Sequence, residues 1–69
     1  MRLSARNQLE GVVVRVDHGV VMSAVVVRLA GGQEVVSAIT KGSAVDLDLK
    51  EGDAVKAVIK ATEVMIGKD

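Results

Sequence analysis

Ser4-Ala5-Arg6-Asn7 places a hydroxyl, a guanidinium and an amide within four residues. Further along, Thr40 and Ser43 flank Gly42, and Lys60 ends a run of valine and isoleucine before Ala61 and Thr62. These side chains donate hydrogen bonds, and Arg6 and Lys60 are cations at neutral pH. A compact oxyanion is held by such groups: cations, hydroxyls and the free N–H groups at a helix start. Each cluster also has a plainer reading. On chemistry alone, Ser4 to Asn7 reads more simply as a polar N-terminal arm. Lys60 reads as a charge that keeps an edge strand from pairing with another chain.

Catalytic constellations are absent from the sequence. There is no cysteine nucleophile, and none of Ser4, Ser23, Ser37 and Ser43 sits in a nucleophile-elbow context. His18, the only histidine, falls in a predicted turn beside Gly19 and reads as a solvated surface residue. Asp46 and Asp48 read as a solvated rim rather than an acid–base pair. The expectation is a protein that is not an enzyme. Lack of cysteine also rules out thiolate zinc sites, and one histidine rules out a histidine cage, so no metal-cation site is expected.

Charge and composition exclude further classes. Nine basic and nine acidic residues give a formal net charge of zero, which is not the footprint of a domain gripping phosphate backbone. No aromatic residue is present, whereas single-strand nucleic-acid binders stack bases on aromatic side chains. No apolar run approaches the ~20 residues of a membrane span. The opening MRLSARNQ lacks the apolar core of a signal peptide, so a cytoplasmic location is expected. High aliphatic content with low net charge excludes disorder.

The elements that must position the donors are mostly strands. Fifteen valines dominate the apolar residues, and glycines punctuate them. A first strand is predicted from about Leu9 to Val16, with Val12, Val14 and Val16 on one face and Val13 and Arg15 on the other. Asp17-His18-Gly19 reads as a turn. A second strand, Val20 to Ala30, is apolar on both faces and calls for cover from another subunit. Gly31-Gly32 signals a hairpin into a third strand, Glu34 to Thr40. A short helix follows, with Thr40 as its N-cap. After a tight turn at Lys50-Glu51-Gly52-Asp53, Ala54 to Ala61 and Glu63 to Ile66 read as two more extended segments. Three strands, a helix and two strands give the expected class: all-β, a five-stranded OB-like Greek-key barrel with one short helix between strands 3 and 4.

Size adds one more expectation. A chain of 69 residues makes one domain, 1–69, and buries only about 60% of the surface it would expose unfolded. Without disulfides or a metal, association is the remaining source of stability. An obligate oligomer is expected.

The run SARNQLEG at Ser4–Gly11 resembles the opening of the molbindins, small molybdate/tungstate-binding proteins of bacteria. The resemblance continues through HGVVMSAVVV, AGGQEVVSAIT and LKEGDAVKAVIKATEVMIG, and spans roughly Ser4 to Ile66. Similar domains occur fused to molybdate-responsive regulators and transporter ATPases. The resemblance implies an OB-like fold, assembly as a hexamer, and molybdate held between subunits. Carried over by motif, Ser4 and Arg6 match anion-binding positions and Lys60 a third, with the backbone N–H of Ala61 standing where many relatives have serine. Thr40 and Ser43 match positions contributed by the neighbouring subunit. A second kind of site, on a threefold axis, maps onto His18, Gly19 and Val20, where relatives commonly carry lysine or arginine in place of His18. The implied function is binding of molybdate, and of tungstate, for intracellular molybdenum storage and homeostasis. The alternative is an oxyanion-sensing module that reports to a regulator or transporter. Implied partners are other copies of the chain and the oxyanion, with neither nucleic acid nor membrane.

Overall fold

The computed structural model describes residues 2–69. Its order is β1 (Asn7–His18), β2 (Met22–Leu29), β3 (Glu34–Thr40), α1 (Lys41–Asp46) and β4 (Ala54–Ile59), then a 3-10 turn at Ala61–Glu63. The four strands form one antiparallel sheet in the order β3-β2-β1-β4. The fold is therefore all-β with one short helix between the third and fourth strands, as expected.

The twelve-residue β1 is the spine of the sheet. Its first half pairs with β4, Asn7 opposite Ile59 through Val12 opposite Ala54. Its second half pairs with β2, up to His18 opposite Ser23. Gly11 sits where the two ladders overlap, opposite both Leu29 and Val55. A Cβ there would lie 2.6 Å from the Arg28 carbonyl oxygen and 2.6 Å from Val27 Cγ1. Only glycine lets the three backbones approach this closely.

A bulge corrects the expected facing of β1. The register steps from Val13 opposite Val27 to Arg15 opposite Val26, leaving Val14 as the extra residue. Strict alternation puts Val13 and Val16 on opposite faces. The inserted residue brings them to the same one, so Val13 is buried and Val16 packs against its cluster. Val12, placed by the alternation on the same face as Val16, is exposed. Val13 also exchanges backbone hydrogen bonds with the Gly52-Asp53 turn, its N–H donating to Asp53 O at 2.9 Å and its O accepting from Gly52 N at 2.8 Å.

The core is Val13, Val25 and Val27, with Val16, Leu29, Ile39, Leu49 and Val55 packed against it. It lines the concave side of the curled sheet as an open trough. In β2, Val25, Val26 and Val27 are all buried within this one chain. The cover for Val26 thus comes from its own chain, which corrects the expectation that it needs another subunit. Val20 and Val21, expected inside the strand, are 94% and 69% exposed.

The local signals held at three places. At the β2–β3 hairpin, Gly32 adopts a φ of +89° and donates to Leu29 O at 2.9 Å. Thr40 caps α1, accepting from Ser43 N. The Lys50–Asp53 turn closes through Asp53 N to Lys50 O at 3.1 Å, with Gly52 at φ +93°. Two boundaries moved. β1 runs on through His18, so the turn is Gly19 to Val21, with Gly19 N donating to Met22 O at 2.8 Å. β4 stops at Ile59, leaving Lys60 to head the 3-10 turn.

Among the described residues four strands pair, and one copy does not form the expected fifth strand or a closed Greek-key barrel. Residues 64–69 pair with no strand of the chain. Val64 keeps extended backbone angles, but Val64, Met65 and Ile66 are 47%, 92% and 90% exposed. The segment has strand chemistry but pairs with neither outer edge of the sheet, β3 or β4.

Candidate functional site

The β1–β4 register decides where the first group of donors lies. Asn7 faces Ile59, so the arm carrying Ser4 and Arg6 enters the sheet beside the exit carrying Lys60 and Ala61. Gln8 fixes the arm by donating from Nε2 to the Ala5 carbonyl at 3.0 Å. That contact was not anticipated, although a glutamine three residues past a polar bend is a legible signal for it. All four site residues are exposed.

Charge at this end is uncommitted. Arg15 is paired with Asp17 at 2.8 Å, Arg28 with Glu34 at 2.8 Å and Lys50 with Asp48 at 3.2 Å. Among the described residues these are the ion pairs, so neither Arg6 nor Lys60 has a carboxylate within reach. Two neighbouring cations without internal counter-ions make a place where an anion gains on both.

Thr40 and Ser43 form the second group. Thr40 Oγ1 accepts from Ser43 N at 3.1 Å and donates to Ser43 Oγ at 2.7 Å. The chain of donors ends on the Ser43 hydroxyl, whose own proton remains for an external acceptor. Both residues are exposed. Each bond in such a chain polarises the next, which strengthens the terminal donor.

The two groups lie at opposite ends of the sheet. Thr40 faces Met22 across β2–β3, and β2 begins where β1 ends. Between the groups runs the twelve-residue β1, a path of roughly 36 Å along the strand at ~3.3 Å per residue. One small tetrahedral anion cannot touch both groups of one copy.

The third candidate group, His18, Gly19 and Val20, lies at the Thr40 end. His18 is opposite Ser23, Ser23 is opposite Ile39, and Lys41 N donates to Val21 O at 2.8 Å. All three residues are exposed. The sequence reading missed Ser23, which is 1% exposed and sits 2.7 Å from His18 Nδ1 through its Oγ. A single serine inside a valine-rich strand was the available signal. Among the described residues, no cluster of histidine and carboxylates could hold a metal ion, and no helix is long and apolar enough to cross a membrane.

The chain is similar to several proteins named for binding molybdenum or molybdate. The TOBE domain model matches residues 3–66. Molybdenum-pterin-binding protein 3 of Clostridium pasteurianum is 53% identical over 66 residues, covering 96% of this chain and 97% of that protein. The structure of a molybdate-binding protein from Sporomusa ovata superposes with a TM-score of 0.92 at 46% identity, covering 99% of this chain and all of the other. The cytoplasmic molybdate-binding protein ModG, solved with molybdate bound, matches with a TM-score of 0.84 at 46% identity. That match covers 88% of this chain and 43% of ModG.

Proposed function

This chain belongs to the TOBE-domain proteins of the molbindin kind, and from that premise we propose that it binds molybdate at sites built between copies of itself. The observation that carries the reading is the uncommitted charge of Arg6 beside Lys60, set together by the Asn7–Ile59 pairing. Ser4 and the Ala61 N–H complete that half of the shell. Thr40 and Ser43 of a neighbouring copy supply the other half, since one copy keeps the two halves at opposite ends of β1.

Molybdate is a tetrahedral dianion whose oxygens accept hydrogen bonds and donate none. A shell of cations, hydroxyls and N–H groups satisfies it without an opposing acceptor. Tungstate has the same charge and shape and fits the same shell. A shared site is organised only in the assembly, which ties anion binding to oligomer stability. The oligomer is a homohexamer in this reading. The exposed Val64–Ile66 segment supplies the fifth strand of a barrel by joining a neighbouring copy. A second anion site uses His18, Gly19 and Val20 around a threefold axis. One domain, 1–69, performs a storage and buffering task in the cytoplasm, with no catalytic step, nucleic acid or membrane involved.

The molybdenum transport protein ModE of Herbaspirillum seropedicae is 41% identical to this chain, which covers 26% of its length, and a like domain inside a longer protein supports a second reading: a sensing module that reports to another protein. A pull-down with and without molybdate separates the two, because a sensor changes its partners with the anion. The main test is native mass spectrometry of the purified protein titrated with molybdate. The expected result is a hexamer that takes up anions only as the assembled species. Anion bound to monomers, or no anion bound, overturns the reading.

A further inference from the structure

His18 bridges the core and the solvent. The residue is exposed, yet its Nδ1 lies 2.7 Å from Oγ of Ser23, which is 1% exposed. Ser23 lies on the same face of β2 as the core residues Val25 and Val27. Among the described residues its Oγ has one hydrogen-bond partner, His18 Nδ1.

The direction of that bond follows from what each arrangement leaves unmet. If Nδ1–H donates to Oγ, the Ser23 proton is left buried without an acceptor, which costs on the order of 1–3 kcal/mol. If the hydroxyl donates to Nδ1, the buried proton has its acceptor, and the remaining ring proton sits on Nε2 of the exposed His18. A histidine's second ring nitrogen is fixed in just this way by the partner of the first.

We propose that Ser23 is a positioning residue that locks neutral His18 in its Nε2–H form, making it an uncharged hydrogen-bond donor to an oxyanion at the Gly19–Val21 turn. The proposal rests on the reading of that turn as an anion site. It changes what His18 contributes there: a directed N–H from the uncharged ring. The adjoining charged groups are Asp17, held by Arg15 at 2.8 Å, and Lys41, whose backbone bonds to Val21. Neither accounts for the direction of the ring proton. The buried hydroxyl does.

The test is nitrogen NMR of the assembled protein at about pH 8, above the ordinary histidine range, with a molybdate titration. Wild-type His18 is expected to show an unprotonated Nδ1 and a protonated Nε2, and molybdate is expected to shift Nε2. Ser23→Ala is expected to let the tautomers mix and to weaken anion binding at the turn by about three- to tenfold, the scale of one neutral hydrogen bond. Ser23→Thr restores the hydroxyl and with it the single tautomer. A protonated Nδ1 in the wild type overturns the proposal even where the Gly19 and Val20 amides respond to molybdate. So does unchanged affinity at the turn in Ser23→Ala. If those amides do not respond at all, the anion site at the turn is absent, and the proposal falls with that reading.

Discussion

Asn7 stands opposite Ile59 across the β1–β4 ladder, and this one pairing sets Arg6 at the same end of the sheet as Lys60. The two residues are 54 positions apart in sequence, and nothing local connects them. A slip of the register by one residue would turn the neighbouring side chains to the other face.

Arg6→Ala is expected to weaken molybdate binding more than Ser4→Ala. Loss of a charged hydrogen bond costs about 1.5–3 kcal/mol, against roughly 0.5–1.5 kcal/mol for a neutral one. Calorimetry should find a drop of about ten- to a hundredfold for Arg6→Ala. Lys60→Met should behave similarly with the fold intact, since Lys60 is exposed and outside β4. Unchanged affinity in Arg6→Ala would remove the charge assignment.

Much of this architecture was legible because its signals are local. Thr40 three residues before Ser43, Gly31-Gly32, and the Lys50–Asp53 turn each fix their own backbone through bonds within four residues. The bulge at Val14 was not legible, since an alternating valine run carries no mark of where one residue is extra. Nor was the fate of Val64 to Ile66. Strand-forming side chains predict an extended chain, and whether an edge is available depends on the rest of the sheet. The donor types of the candidate site were readable one by one. Their division between two ends of the sheet was not, because it follows from the pairings Asn7–Ile59 and Met22–Thr40.

Removing Val64 onward is expected to destabilise the assembly. Met65 and Ile66 are at least 90% exposed in the single chain, and burying each is worth about 1.5–3 kcal/mol. Together they supply roughly 3–6 kcal/mol per copy, enough to raise the dissociation constant more than a hundredfold. Sedimentation across a dilution series checks this. A truncated chain that stays assembled at the same concentrations would show that the segment joins no neighbour.

Gly11→Ala is expected to be strongly destabilising. The added Cβ would lie 2.6 Å from the Arg28 carbonyl oxygen, part of the β2 backbone that cannot swing aside like a long side chain. Overpacking of this kind costs about 1–3 kcal/mol. Gly31→Ala is the control, because a Cβ there meets nothing within 4 Å. Thermal unfolding should separate the two variants clearly, and equal midpoints would contradict the close approach at Gly11.

Asp48→Gly is expected to stabilise the protein. Leu49 N bonds to Ala44 O at 3.2 Å and Asp48 N to Val45 O at 2.9 Å. That is the Schellman pattern, which ends a helix with one residue in left-handed conformation. Asp48 occupies that position at φ 51°, and it is the place where glycine avoids the Cβ penalty. The left-handed conformation costs an ordinary side chain roughly 1–2 kcal/mol. Glycine's greater unfolded-state freedom offsets about 0.5–1 kcal/mol of the gain. The Asp48–Lys50 ion pair would be lost, but its side chains are 76% and 69% exposed and such pairs contribute little. The net expectation is about 0.5–1 kcal/mol, or a rise of roughly 2–8 °C in the unfolding midpoint. Asp48→Asn removes the charge while keeping a side chain that tolerates this backbone, so it should fall between wild type and glycine. A lower midpoint for Asp48→Gly would mean that the carboxylate stabilises the helix end by more than the strain costs.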